Sequence, residues 1–226
     1  MDASQKTCCG RVAAFFDFDH TLIHGDSQGL EIEYLFRNGY LSPGRLVPIV
    51  IANFFFKRHL VRADQIVRVC LRIYRGRPIG QPKAWAPDLY ATEIRPRLSD
   101  AMTTLVQTHR QAGHLPVILS ASLRHLIEPA AGELGIQHVL CTRLESDAQG
   151  RYTGRTEGPV CVGRHKVRQA VRLAERLGVD LAASYGYTDH HADRQLLAAV
   201  GHPVAVSPTP QLRRCARQQN WRIISR

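Results

Sequence analysis

The feature that most constrains the fold of this 226-residue chain is the apolar run at residues 12–16, which leads directly into Asp17 and Asp19. Five consecutive apolar residues are typical of a parallel strand that is buried on both faces. In an open α/β sheet, ligands bind beyond the carboxyl ends of such strands. Taken alone, the run leaves two interpretations: an acidic pair at a ligand-binding edge, or two solvated acids in a turn.

Later segments supply further strands and helices for such a sheet. Apolar runs predict strands at 115–119, 137–141, 181–187 and 203–206, the last of these being the final strand. Helical periodicity predicts helices at 123–134, 164–177 and 192–200, with Ser122 capping the first of them. A turn at 147–150 predicts a hairpin. The alternation predicts an α/β fold, namely a Rossmann-like parallel sheet with helices on both faces.

The segment 25–96 has several helical periodicities and no clear strand pattern. We therefore predict an inserted helical cap domain at 25–96 and a core domain made of residues 1–24 and 97–226. Arg68, Arg72 and Arg75 recur at helical spacing within the cap, opposite an apolar face. This stripe is either a solvated helix face or a cationic roof over an anionic substrate. The apolar run at 46–56 is interpreted as a buried cap helix, with docking of Phe54 and its neighbours on a bilayer as the alternative.

Composition narrows the partners. The formal net charge of +11 favours anionic partners such as phosphates, nucleic acid or acidic lipid. The arginines are scattered and not interleaved with aromatic residues, so a small phosphorylated metabolite is predicted and nucleic acid is not.

The six cysteines form no C-x-x-C pair, and the adjacent Cys8 and Cys9 precede the first strand, so we expect reduced thiols without zinc. No apolar run is long enough to span a bilayer and no signal core is present, which predicts a cytoplasmic protein without a transmembrane segment. The sequence contains no feature that predicts the oligomeric state.

Four polar landmarks fall at predicted strand ends or helix starts, and together they match the needs of phosphoryl transfer. They are Asp17 with Asp19, Ser120, Lys166, and Asp189 with Asp193. Asp17 would attack phosphorus, and Asp19 would protonate the leaving alkoxide and then deprotonate the attacking water.

The remaining landmarks would hold a metal ion and the phosphate. Mg²⁺ would bind Asp17, the backbone carbonyl of Asp19, and Asp189. Ser120 would hydrogen-bond a phosphate oxygen, while Lys166 would neutralise the phosphorylated Asp17. Asp193 would anchor either the metal ligands or Lys166.

These motifs resemble those of the haloacid dehalogenase superfamily of phosphatases, in the subfamily IB branch that is similar to phosphoserine phosphatase. The first motif is DFDHTL, which includes Thr21 as a supporting residue; the second is the serine of ILSAS, the third Lys166 in GRHK, and the fourth YGYTDHHADRQLL. The resemblance implies Mg²⁺-dependent hydrolysis of a phosphomonoester through an aspartyl-phosphate on Asp17. A phosphotransferase of the same fold, or a non-catalytic relative that binds phosphate or nucleic acid, remains an alternative.

Two positions bear on metal and substrate preference. The chain departs from the family pattern at His190, where a small Ser or Thr is usual. His190 and His191 would either support a transition metal or lie at a helix start, facing solvent or the phosphate. Asp26 lies near the position at which phosphoserine enzymes have an acid for the substrate ammonium, and is predicted as a possible substrate contact.

Overall fold

The computed structural model describes residues 10–58, 60–61 and 63–226, with the side chains of all but residues 56, 57, 63 and 64. The predicted thiols Cys8 and Cys9 lie outside the described residues. The strands are β1 (Ala13–Phe16), β2 (Leu115–Leu123), β3 (His138–Thr142), β4 (Leu144–Ser146), β5 (Tyr152–Thr156), β6 (Tyr185–Thr188), β7 (His202–Val206) and β8 (Arg222–Ile224). Six of them form a parallel sheet in the order β3-β2-β1-β6-β7-β8, and β4 and β5 form an antiparallel hairpin.

Helices cover the sheet and fill the insertion between β1 and β2. They are α1 (Ser27–Arg37), α2 (Pro43–Lys57), α3 (Ala63–Leu71), α4 (Pro82–Leu89), α5 (Asp100–Gln111), α6 (Arg124–Leu134), α7 (Arg164–Leu177), α8 (Arg194–Ala199) and α9 (Pro210–Gln218). The α/β class with a Rossmann-like parallel sheet is confirmed. The described part of the insertion is helical as expected, while the division into core and cap domains stays a prediction.

Alternate residues of β1 face opposite sides of the sheet, as strand geometry requires. Ala14 and Phe16 belong to the core that contains Val106 of α5, whereas Phe15 belongs to the core that contains Leu173 of α7. Apolar side chains are therefore needed at every position of this central strand, which explains the unbroken apolar run in the sequence.

The strand order creates a switch point beside β1. From β1 the chain moves outward through β2 to β3, then returns to the other side of β1 and continues outward through β6, β7 and β8. Ligand sites in open α/β sheets form where the strand order reverses in this way. Phe16 is paired with Tyr187 in the sheet register, so Asp17 and the end of β6 emerge side by side.

Four expectations from the sequence are corrected by the structure. The strand at 203–206 is not the last, because α9 and β8 follow it. Ser122 does not cap α6, because β2 continues to Leu123 and α6 begins only at Arg124. The strand predicted at 181–187 begins only at Tyr185. The run at 46–56 is not a buried helix: within its described side chains Ile49 is buried, but most of the others are exposed.

Candidate active site

Asp17 is the first residue after β1, and its backbone N–H donates to the Tyr187 carbonyl at 2.9 Å. Its own carboxylate accepts a hydrogen bond from the Phe18 N–H at 2.7 Å, which turns the chain away from the strand direction. His20 in this turn has a positive φ of 53°, an unusual conformation for a residue other than glycine. Asp19 therefore lies in a tight turn and does not continue β1.

Lys166 joins Asp17 to Asp193. Its Nζ lies 2.9 Å from Asp17 Oδ2 and 2.6 Å from Asp193 Oδ2, and its side chain is only 2% exposed. The other Asp193 oxygen accepts the Gly163 N–H at 3.1 Å, which ties the start of α7 to the start of α8. Gly163 has a positive φ, and an added Cβ would lie only 3.2 Å from the Ala192 carbonyl oxygen. Glycine therefore suits the close packing of the start of α7 against the start of α8.

This group carries more carboxylates than cations. Burial raises the pKa of Asp17 to about 8; the Lys166 charge opposes this rise, and the charges of Asp193 and Asp189 add to it. Burial also raises the pKa of Asp189. Three carboxylates around one ammonium leave an excess of negative charge that a divalent cation would offset.

The donor set fits the metal predicted from the sequence. Hard cations such as Mg²⁺ bind oxygen ligands and retain several waters, so two carboxylates and one backbone carbonyl can hold the ion. Within residues 10–58, 60–61 and 63–226, no three side chains of His, Cys, Asp or Glu cluster as metal ligands. The predicted set needs only the side chains of Asp17 and Asp189, so this finding leaves it unchanged.

Asp19 is held separately from Asp17. One of its carboxylate oxygens accepts the Ser27 N–H at 2.8 Å, and the other accepts the Ser122 hydroxyl. The Ser27 hydroxyl in turn donates to Ser122 Oγ at 2.9 Å. Residues of α1 and β2 thus fix the direction of the Asp19 carboxylate.

Two predicted site residues, Ser120 and Thr21, are buried without a hydrogen bond to Asp17 among the described residues. Ser120 is 1% exposed, and its Oγ accepts the Ser122 N–H at 3.1 Å. Thr21 is fully buried, and its hydroxyl has no hydrogen-bond partner in the described part of the chain.

Asp26 caps the first turn of α1, accepting hydrogen bonds from the Gln28 and Gly29 N–H groups at 3.2 and 3.1 Å. Desolvation, and then the charge of Asp19, raise the pKa of Asp26 to about 6. These contacts give Asp26 a structural role; its contact with substrate stays a prediction.

The two histidines after Asp189 differ in their surroundings. His190 is exposed, and its Nδ1 accepts the Ala192 N–H at 3.1 Å, so it caps the helical turn that follows. His191 is half-buried, and its Nδ1 has no partner among the described residues.

A cavity of about 580 Å³ lies between this edge of the sheet and the helices of the insertion. Its polar end contains Asp19, Ser122 and His190. The acids Asp26 and Glu33 also line it, and its apolar wall comes from α1, α2 and α3: Ile32, Phe36, Leu46, Ile49, Val50, Ile66, Val67 and Cys70. Asp17 keeps only 7% of its surface exposed, next to the turn that carries Asp19.

The Arg stripe of the insertion does not line this cavity. Arg68, Arg72 and Arg75 are exposed, as a solvated helix face requires. Arg72 and Arg75 line a different cavity against Tyr152 and the β4–β5 hairpin. The cationic-roof interpretation is not supported for these three residues.

The family model of the haloacid dehalogenase-like hydrolases matches residues 14–198, a span that contains every landmark described above. The chain belongs to this family. Two relatives with named activities resemble it over most of their length. A phosphoserine phosphatase of Mycobacterium tuberculosis is 30% identical over 217 residues, covering 93% of this chain and 70% of the relative. A histidinol-phosphatase of Neisseria meningitidis is 28% identical over 218 residues, covering 94% and 97%.

Solved structures have the same fold. A protein of unknown function from Bordetella pertussis superposes with a TM-score of 0.85 at 30% identity, covering 95% of this chain and 98% of that one. A phosphoserine phosphatase in the form of a phospho-aspartyl intermediate analogue superposes with a TM-score of 0.69 at 16% identity, covering 96% and 93%. The family match and the named relatives identify this haloacid dehalogenase-like hydrolase as a phosphoric monoester hydrolase.

Three further residues of the site were not predicted from the sequence. Thr188 Oγ1 lies 3.4 Å from Asp17 Oδ2 and 3.3 Å from Asp193 Oδ2, between the two acids that bind Lys166. Ser27 and Ser122 orient Asp19. A usable signal existed for Ser122, since on an extended strand it shares a face with Ser120. Ser27 could not be found this way, because its contact depends on the turn after β1.

Proposed function

We propose that this chain hydrolyses phosphomonoesters with Mg²⁺ and forms an aspartyl-phosphate on Asp17. The observation that carries the proposal is the pairing of the Lys166 ammonium with the buried Asp17 carboxylate, at 2.9 Å, at the switch point of the sheet. A buried carboxylate attacks phosphorus only when it is ionised. The Lys166 charge favours that form against the burial that raises the pKa of Asp17 to about 8, and a bound divalent cation would favour it further.

In the proposed first step, an Asp17 oxygen forms a bond to phosphorus while the bond from phosphorus to the alcohol oxygen breaks. Asp19 donates a proton to the departing alkoxide. In the second step, Asp19 takes a proton from water, the water oxygen bonds to phosphorus, and Asp17 is released together with inorganic phosphate. Asp19 lines the cavity and two hydrogen bonds fix its carboxylate, which suits both proton transfers.

The other residues have supporting roles in the proposal. Lys166 and Ser120 would bind phosphate oxygens, and Asp193 would hold Lys166 in position at 2.6 Å. Mg²⁺ held by Asp17, Asp189 and the Asp19 carbonyl would supply positive charge that neutralises the phosphoryl group. Thr21 would support the turn between β1 and α1.

The test is phosphate release from a panel that contains phosphoserine, histidinol phosphate, sugar phosphates, nucleotides and a lysophospholipid phosphate, with and without Mg²⁺. We expect release to depend on Mg²⁺ and to fall by about a thousandfold or more in Asp17→Asn. Asp100→Asn, an exposed acid in the first turn of α5, is the matched control and should behave as the unmodified chain does.

Circular dichroism and a thermal melt show whether both variants are folded. Activity of folded Asp17→Asn close to that of the unmodified chain would refute the nucleophile. Release that is independent of Mg²⁺ would refute the metal requirement.

A further inference from the structure

Helix α2 has apolar side chains on two opposite sides. Its inner side contributes Leu46 and Ile49 to the wall of the cavity. Its outer side leaves Ile51, Phe54 and Phe55 exposed by 53%, 51% and 41%, respectively. A helix that is apolar all round is normally buried in protein or in contact with a membrane. None of the described helices is long and apolar enough to cross a bilayer.

The exposed face of α2 continues into the cavity. Val50 is 57% exposed and also lines the cavity, as does Phe36 of α1, which is 42% exposed. The cavity therefore joins an apolar surface at its mouth to Asp19 and Ser122 at its polar end. This arrangement matches an amphiphile whose phosphate reaches the polar end while its hydrocarbon chain follows the wall toward α2.

The positive charge at the outer face of α2 favours an anionic lipid surface over a second copy of this chain as its partner. The Arg58 guanidinium carbon lies 3.5 Å from the centroid of the Phe54 ring, so a cation stands directly on the apolar surface. The formal net charge of the chain is +11. Anionic lipid headgroups complement such a surface. A second copy of this chain would instead bring like charges together.

We propose that the outer face of α2 binds the surface of an anionic lipid bilayer, and that the cavity takes a lipid phosphomonoester from it. The second half of this proposal rests on the proposed phosphatase function, and the first half does not. Membrane binding and hydrolysis can therefore fail independently.

Flotation with vesicles tests the binding. The probes are vesicles of phosphatidylcholine alone and of phosphatidylcholine mixed with phosphatidylglycerol. We expect the chain to float with the mixed vesicles, and Ile51→Ser to weaken this partition about tenfold, because one half-exposed isoleucine no longer inserts. Ile79→Ser is the matched control, since Ile79 is 50% exposed but belongs to the loop before α4.

Three outcomes would overturn the binding proposal. The first is no flotation of the unmodified chain with mixed vesicles, and the second is equal loss in Ile51→Ser and Ile79→Ser. The third is a dimer in sedimentation that Ile51→Ser converts to monomer without any vesicle binding, which would assign the face to a second copy. Asp17→Asn should float as the unmodified chain does, whether or not the proposed chemistry is correct.

Two substrates that differ only in an acyl chain test the second half. We expect kcat/KM for lysophosphatidic acid in mixed vesicles to exceed that for glycerol 3-phosphate by more than tenfold. Ile51→Ser should reduce this advantage and leave hydrolysis of glycerol 3-phosphate unchanged. Equal values for the two substrates would overturn the lipid substrate. Hydrolysis of neither, together with intact flotation, would count against the proposed function and leave membrane binding in place.

Discussion

Replacing Lys166 with methionine removes the only cation in direct contact with Asp17 and Asp193 among the described side chains. Methionine has a similar length, so the change removes charge with little loss of packing. Removing one partner of a buried ion pair costs about 3–5 kcal/mol, because the other partner is left buried and unpaired. Both carboxylates are at most 10% exposed, so we expect a loss in this range for the free energy of unfolding.

Urea denaturation in metal-free buffer measures that loss, and steady-state kinetics with Mg²⁺ measures the effect on turnover. We expect kcat to fall about 10²–10³-fold, since in the proposed mechanism this ammonium neutralises the developing charge of the phosphoryl group. Lys83→Met, an exposed lysine of α4, is the matched control and should change neither quantity. If Lys166→Met unfolds within about 1 kcal/mol of the unmodified chain and keeps kcat within about tenfold, the reasoning is refuted.

Three further predictions concern metal binding, the insertion and pH. Asp189→Asn should raise the Mg²⁺ concentration needed for half-maximal activity, and an unchanged metal titration would remove Asp189 from the ligand set. Glu31→Gln should lower the free energy of unfolding by about 2–4 kcal/mol in urea, because the buried carboxylate accepts from Trp85 Nε1 at 3.0 Å and lies 2.7 Å from His125 Nε2; exposed Glu128→Gln is its control, and an equal effect of the two would contradict the prediction. Burial lowers the pKa of His109 to about 4 from 6.5, so the unfolded chain binds this proton first and stability should fall by up to about 3 kcal/mol as pH drops from 6.5 to 4. A stability–pH slope that persists unchanged in His109→Leu would assign the effect to other groups.

The sequence was sufficient for the sheet and for the order of the landmarks, because long apolar runs and glycine stops are local signals. Gly135 and Gly178, for example, follow periodic apolar segments and end α6 and α7 in left-handed conformations. The end of the chain was missed because α9 buries only Leu212 and Ala216 along nine residues, and β8 has only three residues. Such short segments carry too few apolar positions for a periodic pattern to stand out.

The hydrogen bonds of Asp19 could not be predicted from the sequence, because their partners are distant along the chain. Ser122 meets Asp19 across 103 positions of sequence, and Ser27 reaches the same carboxylate from the start of an inserted helix. Both contacts depend on how the turn after β1 meets α1 and β2. Residue type and spacing therefore singled out Asp17, Asp19 and Lys166, while the orientation of the Asp19 carboxylate required the tertiary structure.

The exposure of α2 also could not be predicted from local sequence signals. Helical periodicity is identical for a helix buried in protein and for one that lies on a membrane, so the run at 46–56 could not distinguish them. A helix has two sides, and the inner side of α2 is already used by Leu46 and Ile49 as cavity wall. Polar residues on the outer side would have made α2 an ordinary amphipathic cap helix. Ile51, Phe54 and Phe55 instead extend the apolar wall outward, which is the arrangement that the proposed lipid phosphomonoester requires.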